Sequence, residues 1–517
     1  MTEKAHTSGS PRKRSIVANT AMNGIAQFAS LVSTLVFFPL LVHAFGVGDY
    51  GVYVIALSVT GTVGMFDLGI GASTVRLVAR HASLSDDEGF ARTVSSAAGL
   101  LFVVGIIIAL AIAGIGAVAG SIFKIDASQA SLLRSLLLIG AASQVWYWPA
   151  TVASHVLGGL ERYDIIARTS IFTTLANVAA IAIVLVTGAG PVVLMLLGVG
   201  TMVVASLMNI VALRDAHTGA RLATLPSRPV ALEILSGGFP IFVAGIAQFL
   251  NREQVDRLVL GVFLGPAAVV IYQAASKLSS LVAQFTGLST SALLPVASGM
   301  VAREDEDALR DLFVRGSRYV SLAVAPIAAT VIVLAAPFIR SWMGPGFEGS
   351  IIVAQLLVFS QLFVPLYQTG DAVLIGKGRF SAWVPRGIAL ALLNLGLSLA
   401  LVRPLGVTGV AIGTLVSGLL ELPLYAHLVL RETGVTVRMW LAQAGPMYLM
   451  LPVALIVGAV GMLTPLGGSL VGVVAVGAAC VLGCWAAAYT LVLTSEERAD
   501  ARARLAAISR GRGERAS

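Results

Sequence analysis

Charged side chains interrupt the apolar stretch GIAQFLNREQVDRLVLGVFLGPAAVVIYQAASKLSSLVAQ, which runs from Gly245 to Gln284. On a helix that advances about 100° per residue, Gln248, Arg252 and Asp256 lie on one face of its first half. A second polar face follows a Gly-Pro turn and consists of Gln273, Lys277, Ser280 and Gln284. Ionisable groups inside membrane helices are costly unless they face a bundle interior or a wet cavity. We therefore expect these two helices to line a substrate path.

Pairing of neighbouring charges is the alternative interpretation of the first face. Arg252 can pair with Asp256, and Glu253 with Arg257, because residues four apart are neighbours on a helix surface. Such pairs would lie near a membrane face and carry no substrate. Lys277 has no acidic residue within one turn, so a substrate path is the better interpretation of its helix.

Composition defines the class of protein. The 517 residues are 57% hydrophobic and 12% charged, with a mean hydropathy of +0.91. About 25% charged residues is usual for globular proteins, so these values predict a polytopic membrane protein. The net charge of +8 follows the ends of apolar segments, which indicates membrane topology and not a nucleic acid partner.

The two cysteines, Cys480 and Cys484, lie on one face of the last apolar segment, where we expect them to pack. They predict neither a disulfide nor a metal framework. At the other end of the chain, a polar segment precedes an apolar run of about 30 residues, which is too long for the apolar core of a signal peptide. We expect a retained membrane helix there.

Segments of about 20 apolar residues can span a membrane as helices. Fourteen are expected, at 15–45, 52–80, 93–121, 131–159, 164–187, 191–213, 230–258, 266–298, 317–340, 350–374, 384–402, 405–430, 441–463 and 469–493. With a cytoplasmic N-terminus, the cytoplasmic segments hold 27 of the 34 lysine and arginine residues and the outer segments hold six. Because positive charges concentrate on the cytoplasmic side of membrane proteins, both termini are expected in the cytoplasm.

An internal repeat suggests how these helices are grouped. The pentapeptide GIAQF occurs at residues 24–28 and again at 245–249. A second match, 219 residues apart, pairs Gly46, Tyr53 and Ala56 with Gly265, Tyr272 and Ala275. Transporters are commonly built from such repeats, with the substrate site between them. The expected division is a cytoplasmic segment 1–14, a six-helix lobe 15–213, a cytoplasmic linker 214–229, a second six-helix lobe 230–430, helices 13 and 14 at 431–493, and a basic cytoplasmic tail 494–517.

Polar residues of the first two helices support a cavity. Those that share one face of the first helix, within about 80°, are Asn19, Asn23, Gln27, Ser30 and Thr34. Hydrogen bonding between helices is the alternative role for them. In the second helix, Asp67 is a candidate coupling-ion or proton site, because an unpaired carboxylate in the bilayer is protonated or needs a cation. Lys277 lies at a depth that could meet it, whereas Asp371 and Glu421 are closer to cytoplasmic helix ends.

The sequence contains no catalytic constellation. Gly376 and Lys377 lack the earlier glycine and the following serine or threonine of a phosphate-binding loop. The six histidines are scattered, without the spacing of a metal site or a catalytic triad. We expect a protein that is not an enzyme and that uses no catalytic residues, metal or cofactor.

Two segments resemble a known family. The run FPLLVHAFGVGDYGVYVIALSVTGTVGMFDLGIGASTVRLVAR at 38–80 is similar to the start of bacterial polysaccharide biosynthesis proteins, the O-antigen and oligosaccharide flippases of the multidrug/oligosaccharidyl-lipid/polysaccharide exporter superfamily. The run NREQVDRLVLGVFLGPAAVVIYQAASKL at 251–278 resembles the corresponding segment of their second half. The residues that match its pattern are Asp256, Arg257, Gly265 and Tyr272.

The resemblance implies an all-α membrane protein with two six-helix lobes and a C-terminal helix pair. It also implies a flippase that moves a polyprenyl-pyrophosphate-linked oligosaccharide across the bacterial cytoplasmic membrane by alternating access. Such an oligosaccharide is a repeat unit of a surface polysaccharide, for example lipopolysaccharide or exopolysaccharide. The expected partners are this lipid-linked oligosaccharide and the lipid bilayer, with other polysaccharide assembly proteins as further candidates.

The candidate site combines both lines of reasoning. Substrate-binding candidates are Arg252, Arg257, Lys277, Gln248, Gln273, Gln284, Asn23 and Gln27, and candidates for ion coupling or ion pairing are Asp67 and Asp256. An exporter of small cations from the same superfamily is the alternative, but it would be expected to have an acidic cavity. A membrane-embedded glycosyltransferase or polymerase is opposed by the short outer loops.

Overall fold

The computed structural model describes residues 11–62, 67–216, 226–250, 253–290, 293–379, 382–464 and 469–499. Within these ranges the chain forms α-helices and short 3-10 and π turns, and it contains no β-strand. Ten of the described helices are long and apolar enough to cross a membrane. The expected class, an all-α polytopic membrane protein, is confirmed. The number of fourteen spans stays a prediction.

The chain forms two compact units, Met1–Val270 and Ile271–Ser517. The helices of the first unit are α1 (Pro11–Thr62), α2 (Ile70–Ser83), α3 (Asp87–Ala117), α4 (Ala119–Ile122), α5 (Ala127–Gly159), α6 (Tyr163–Thr187), α7 (Pro191–Ala216), α8 (Arg228–Leu250) and α9 (Glu253–Phe263). Helix α10 (Pro266–Thr290) contains the border between the units. The predicted division into lobes with a linker at 214–229 stays a prediction.

The second unit contains most of α10 and eight further helices. These are α11 (Leu293–Val301), α12 (Glu306–Met343), α13 (Gly349–Gln361), α14 (Val364–Gly376), α15 (Val384–Thr433), α16 (Val437–Ala444), α17 (Met450–Met462) and α18 (Leu470–Ala487). Cys480 and Cys484 are fully buried in α18 and form no disulfide. Packing is therefore the structural role of both.

Glycines divide the two longest helices. Helix α1 has a non-helical residue at Gly46, with φ 77° and ψ 156°, and α15 has one at Gly406, with φ 61° and ψ −139°. No atom lies within 4 Å of a Cβ placed on either glycine. Each position therefore requires glycine for its positive φ, which glycine adopts without a steric penalty, and not for lack of space. Both breaks coincide with predicted borders between neighbouring spans, to within a few residues.

The predicted span 52–80 is not one helix. Helix α1 ends at Thr62 and α2 begins at Ile70, and between them Leu68 and Gly69 have φ values of 52° and 72°. Two consecutive residues in the left-handed region end a right-handed helix. A Cβ on Gly69 would collide with the backbone of Gly238 in α8, so the glycine also permits close packing of the two chain segments.

The two segments of the predicted repeat share backbone features. Gly265 has φ 92°, in the same left-handed region as Gly46. The alanines that follow, Ala56 and Ala275, are both completely buried. These features agree with a duplication, which stays a prediction.

Arg318 connects α12 to the C-terminal part of the second unit through hydrogen bonds. This α12 side chain is only 7% exposed. Its guanidinium donates hydrogen bonds to the Gln443 side chain, to the Val492 carbonyl at 3.0 Å and to the Glu497 carboxylate at 2.8 Å. A buried guanidinium requires such partners, because an unpaired buried charge is strongly destabilising. The segment that follows α18 is thereby tied to α12.

Candidate substrate path and neutral pocket

Four of the predicted binding residues are outside what the structure describes in atomic detail. Arg252 lies outside the described residues. Asn23 and Gln27 belong to α1 and Gln248 belongs to α8, and the side chains of all three lie outside the description. Their assignment to a substrate path stays a prediction.

Asp256 and Arg257 lie on α9, which packs against α1 in the first unit. Asp256 is 6% exposed, and Arg257 is half-buried. The charge of Arg257 acts electrostatically on Tyr50 of α1. Tyr50 is in ring contact with Tyr53, with centroids 6.1 Å apart, and with Phe38, with centroids 5.5 Å apart. The structure thus places a partly desolvated cation close to an aromatic cluster.

Helix α10 carries the second predicted face in the second unit. Gln273 is buried, and its Oε1 accepts no hydrogen bond within the described part of the chain. Lys277, Ser280 and Gln284 are half-buried, and the Ser280 hydroxyl donates to the Ser276 carbonyl at 2.8 Å. A lysine that is half-buried in a spanning helix has a polar environment, since a bare ammonium in hydrocarbon is costly. The proposed pairing of Lys277 with Asp67 stays a prediction.

Asp67 lies at the N-terminal end of α2. Both of its carboxylate oxygens accept from the Gly71 backbone N–H, at 3.1 and 3.2 Å. Helix N-termini stabilise negative charge through their free N–H groups. The His155 ring from α5 packs on Gly71, and the Asp67 charge acts on both His155 and Tyr147. Sequence analysis missed these two α5 neighbours, although their spacing of eight residues places them near one helix face.

A second polar region lies between α5, α6 and α7, and we call it the neutral pocket. Its volume is about 350 Å³. The polar residues that line it are Tyr147, Thr151, Ser154, Thr169, Ser170, Thr173, Asn177, Thr201, Ser206 and Asn209. Among the described residues that line it, none carries a carboxylate, ammonium, guanidinium or imidazole group. One feature of the sequence points to this pocket, because Thr169, Thr173 and Asn177 follow one another at four-residue spacing along α6.

Hydrogen bonds between helices fix one wall of the neutral pocket. The Thr169 hydroxyl donates to the Asn209 side-chain oxygen at 2.9 Å, and the Asn209 amide donates to the Ser154 hydroxyl at 3.0 Å. Trp146 of α5 adds a contact to α7, because its indole N–H donates to the Ser206 hydroxyl at 2.8 Å. Residues from all three helices are thus held in one arrangement.

The second unit contains a further intramembrane polar pair, formed by Tyr425 and Asp371. The Tyr425 hydroxyl of α15 donates to the Asp371 carboxylate of α14. Among the described residues, no group of three or more His, Cys, Asp or Glu side chains is arranged to hold a metal ion.

These helices and intramembrane polar groups define an all-α protein of multiple membrane spans. The family described as "Polysaccharide biosynthesis protein" matches residues 16–301, which is more than half of the chain. The chain belongs to this family.

Known proteins share part of the sequence or the fold. The chain is 28% identical over 197 residues to "Uncharacterized membrane protein EpsK" of Bacillus subtilis (strain 168), a match that covers 37% of this chain and 38% of that relative's length. Among solved structures, "Lipid II flippase MurJ, inward closed conformation" has a TM-score of 0.69 and 16% identity, covering 90% of this chain and 98% of that chain. An inward-facing multidrug resistance MATE transporter of the MOP superfamily has a TM-score of 0.61 and 19% identity, covering 78% of this chain and 96% of that chain. At these identities the likeness to the two structures concerns the fold.

Proposed function

We propose that this protein is a flippase that moves a polyprenyl-pyrophosphate-linked oligosaccharide across the bacterial cytoplasmic membrane by alternating access. One observation carries the proposal: a chain of the polysaccharide biosynthesis family has the fold of a lipid II flippase over 90% of its length. No covalent bond is made or broken in this process. The protein supplies binding, shielding from the bilayer and a change of access.

The cationic residues are proposed to bind the pyrophosphate of the substrate. Arg257 is half-buried beside the aromatic cluster of Tyr50 and Tyr53, where water screens its charge less than at a surface. Charge-assisted hydrogen bonds from guanidinium or ammonium to phosphate are strong in such an environment. We assign Arg252 and Lys277 the same role.

Asp67 and Asp256 are our candidates for ion coupling or for ion pairing. Asp67 accepts hydrogen bonds from the Gly71 N–H at the N-terminal end of α2, and its charge acts on His155 of α5. Asp256 is buried next to Arg257, so it can balance the positive charge in the absence of substrate. Both roles belong to the proposed transport cycle.

Flux of a lipid-linked glycan tests the proposed function. The purified chain is reconstituted into vesicles with a fluorescent polyprenyl-pyrophosphate disaccharide, and an impermeant quencher reports the lipid that reaches the outer leaflet. We expect the protein to speed this movement well above that of protein-free vesicles. Absence of any acceleration, together with export of a small organic cation, would favour the cation exporter instead.

Both termini are proposed to lie in the cytoplasm. Single cysteines at Ser10 and at the exposed Ser495 should react with an impermeant thiol reagent only after cells are opened. The native cysteines are buried, so they contribute little background. Labelling of either position in intact cells would contradict the cytoplasmic placement of both termini, and labelling of only one would contradict an even number of spans.

A further inference from the structure

The neutral pocket has side chains that remain available for a ligand. Asn177 and Ser170 of α6 are exposed, and neither side chain makes a hydrogen bond within the described part of the chain. Tyr147 of α5 is likewise 38% exposed and presents an aromatic ring. An amide or a hydroxyl in a membrane helix is costly unless it is hydrogen-bonded. This side of the pocket therefore suits water or a polar ligand.

The opposite side of the pocket is preorganised. Asn209 uses its amide nitrogen and its oxygen in hydrogen bonds to Ser154 and Thr169, and all three residues line the pocket. Thr201 of α7 is only 9% exposed and also lines it. A wall that is fixed before binding reduces the conformational entropy that the protein loses when a ligand binds.

The chemistry of the lining favours an uncharged ligand that combines hydroxyl groups with an apolar face, because Ile166 and Met202 line the pocket beside the hydroxyl and amide side chains. The absence of cationic lining residues disfavours a pyrophosphate, and the absence of carboxylates disfavours a small cation. The charge of Asp67 acts on Tyr147, one of the lining residues. Hydroxyl and amide groups can exchange hydrogen bonds with a sugar, and the Tyr147 ring can cover an apolar sugar face. The volume of about 350 Å³ also lies within the range of pockets that hold small ligands.

We propose that the neutral pocket is a sugar subsite, which holds one uncharged monosaccharide of the lipid-linked glycan during transport. The inference rests on the proposed flippase function and adds the location and chemistry of glycan recognition. Asn177, Ser170 and Thr201 supply the hydrogen bonds, and the Asn209 network holds the wall in place.

Protection of a single cysteine tests the subsite. Ala205 lines the pocket, and Ala205→Cys introduces a thiol that a small reagent can label. The probes are polyprenyl pyrophosphate carrying one glucose, one galactose or one N-acetylglucosamine, and the same lipid without a sugar. We expect at least one sugar-bearing lipid to slow labelling about fivefold or more, and the bare lipid to leave the rate unchanged. Equal rates with all four lipids would overturn the subsite.

A matched pair of variants separates sugar recognition from general damage. Asn177→Leu removes the amide and keeps the branched shape of the side chain, whereas Thr187→Val alters an exposed residue of the same helix whose hydroxyl bonds to its own helix, at Ile183. In the Ala205→Cys background, Asn177→Leu should weaken protection by the sugar-bearing lipid about tenfold, and Thr187→Val should not. Equal protection in both variants would overturn the role of Asn177 and with it the subsite.

Binding of the bare lipid distinguishes this inference from the proposed function. Thermal stabilisation by polyprenyl pyrophosphate measures that binding, because a ligand of the folded state raises its stability. Stabilisation by every lipid without protection by any sugar would overturn the subsite alone. Stabilisation by none of the lipids would overturn the flippase proposal and the subsite together.

Discussion

Two regions of the molecule differ in the polar side chains that their spanning helices carry. One consists of the charged groups of α9 and α10, and the other is the neutral pocket of α5, α6 and α7. Both put polar side chains into spanning helices, where an unsatisfied polar group is costly. Arg257 and Lys277 place basic side chains at half-buried positions, whereas the polar side chains that line the neutral pocket, beside apolar ones such as Ile166 and Met202, carry only hydroxyl and amide groups. The difference suits a substrate with two chemically distinct parts, an anionic pyrophosphate and an uncharged glycan.

The largest effect is expected at Lys277. Lys277→Ala should lower the flux of a lipid-linked glycan about 100-fold, because a hydrogen bond to a charged group contributes about 1.5–3 kcal/mol. Lys277→Arg should retain part of the flux, since it keeps the charge. The comparison uses reconstituted vesicles at equal protein content. Wild-type flux in Lys277→Ala would mean that the lysine is structural and that α10 does not line the path.

A smaller loss is expected at Arg257. Arg257→Ala should lower the flux of sugar-bearing and bare lipid alike, by about tenfold, because the pyrophosphate is common to both. Arg315→Ala provides the control, since Arg315 is an exposed arginine paired with Asp311. If Glu253→Ala combined with Arg257→Ala restored normal flux, ion pairing within α9 would be the better account of this arginine.

A stability change is expected at the neutral pocket. Asn209→Leu removes two hydrogen bonds, to Thr169 and Ser154, and leaves both hydroxyls without this partner. Hydrogen bonds between membrane helices average about 0.6 kcal/mol, so the loss should be about 1 kcal/mol. Unfolding in mixed detergent measures it, with Thr187→Val as the control. An unchanged unfolding midpoint would show that this wall is not fixed by Asn209.

The smallest effect is a pH dependence outside the spanning segments. The Gly89 backbone N–H and the His81 side chain hydrogen-bond to Asp86 and lower its pKa below the usual value. A lowered carboxyl pKa adds stability that is present above the unfolded-state pKa and is lost as pH falls through the folded-state pKa. Thermal unfolding of wild type should therefore lose stability in acid more steeply than that of Asp86→Asn. Identical acid profiles would contradict this contribution of Asp86.

The helices of the candidate site were predictable from local sequence. Hydropathy and the Gly-Pro turn placed the start of α10 at Pro266, and the polar spacing placed Lys277 and Gln284 on one face. The count of apolar residues placed a border between the spans 384–402 and 405–430, and α15 has its non-helical residue at Gly406, close to this border. Such features depend on residues close together in the chain.

Contacts between distant segments were not predictable. The hydroxyl and amide residues of α6 were visible in the sequence, but their convergence with Ser154 and Asn209 depends on which helices become neighbours. Asp67 illustrates the same limit. Its carboxylate was expected in mid-helix, and the structure places it at a helix N-terminus next to His155, because the positive φ values of Leu68 and Gly69 interrupt the helical backbone just before α2.

Arg318 has a practical consequence for engineering this protein. A deletion that starts before Glu497 would remove the carboxylate that balances a 7%-exposed guanidinium, and one that starts before Val492 would remove a carbonyl acceptor as well. Purification tags and fluorescent fusion partners therefore belong beyond residue 499, where these contacts stay intact. A shortened chain that ends inside α18 would lack both of these acceptors for Arg318. We expect quality-control proteases to recognise such an incompletely packed membrane protein.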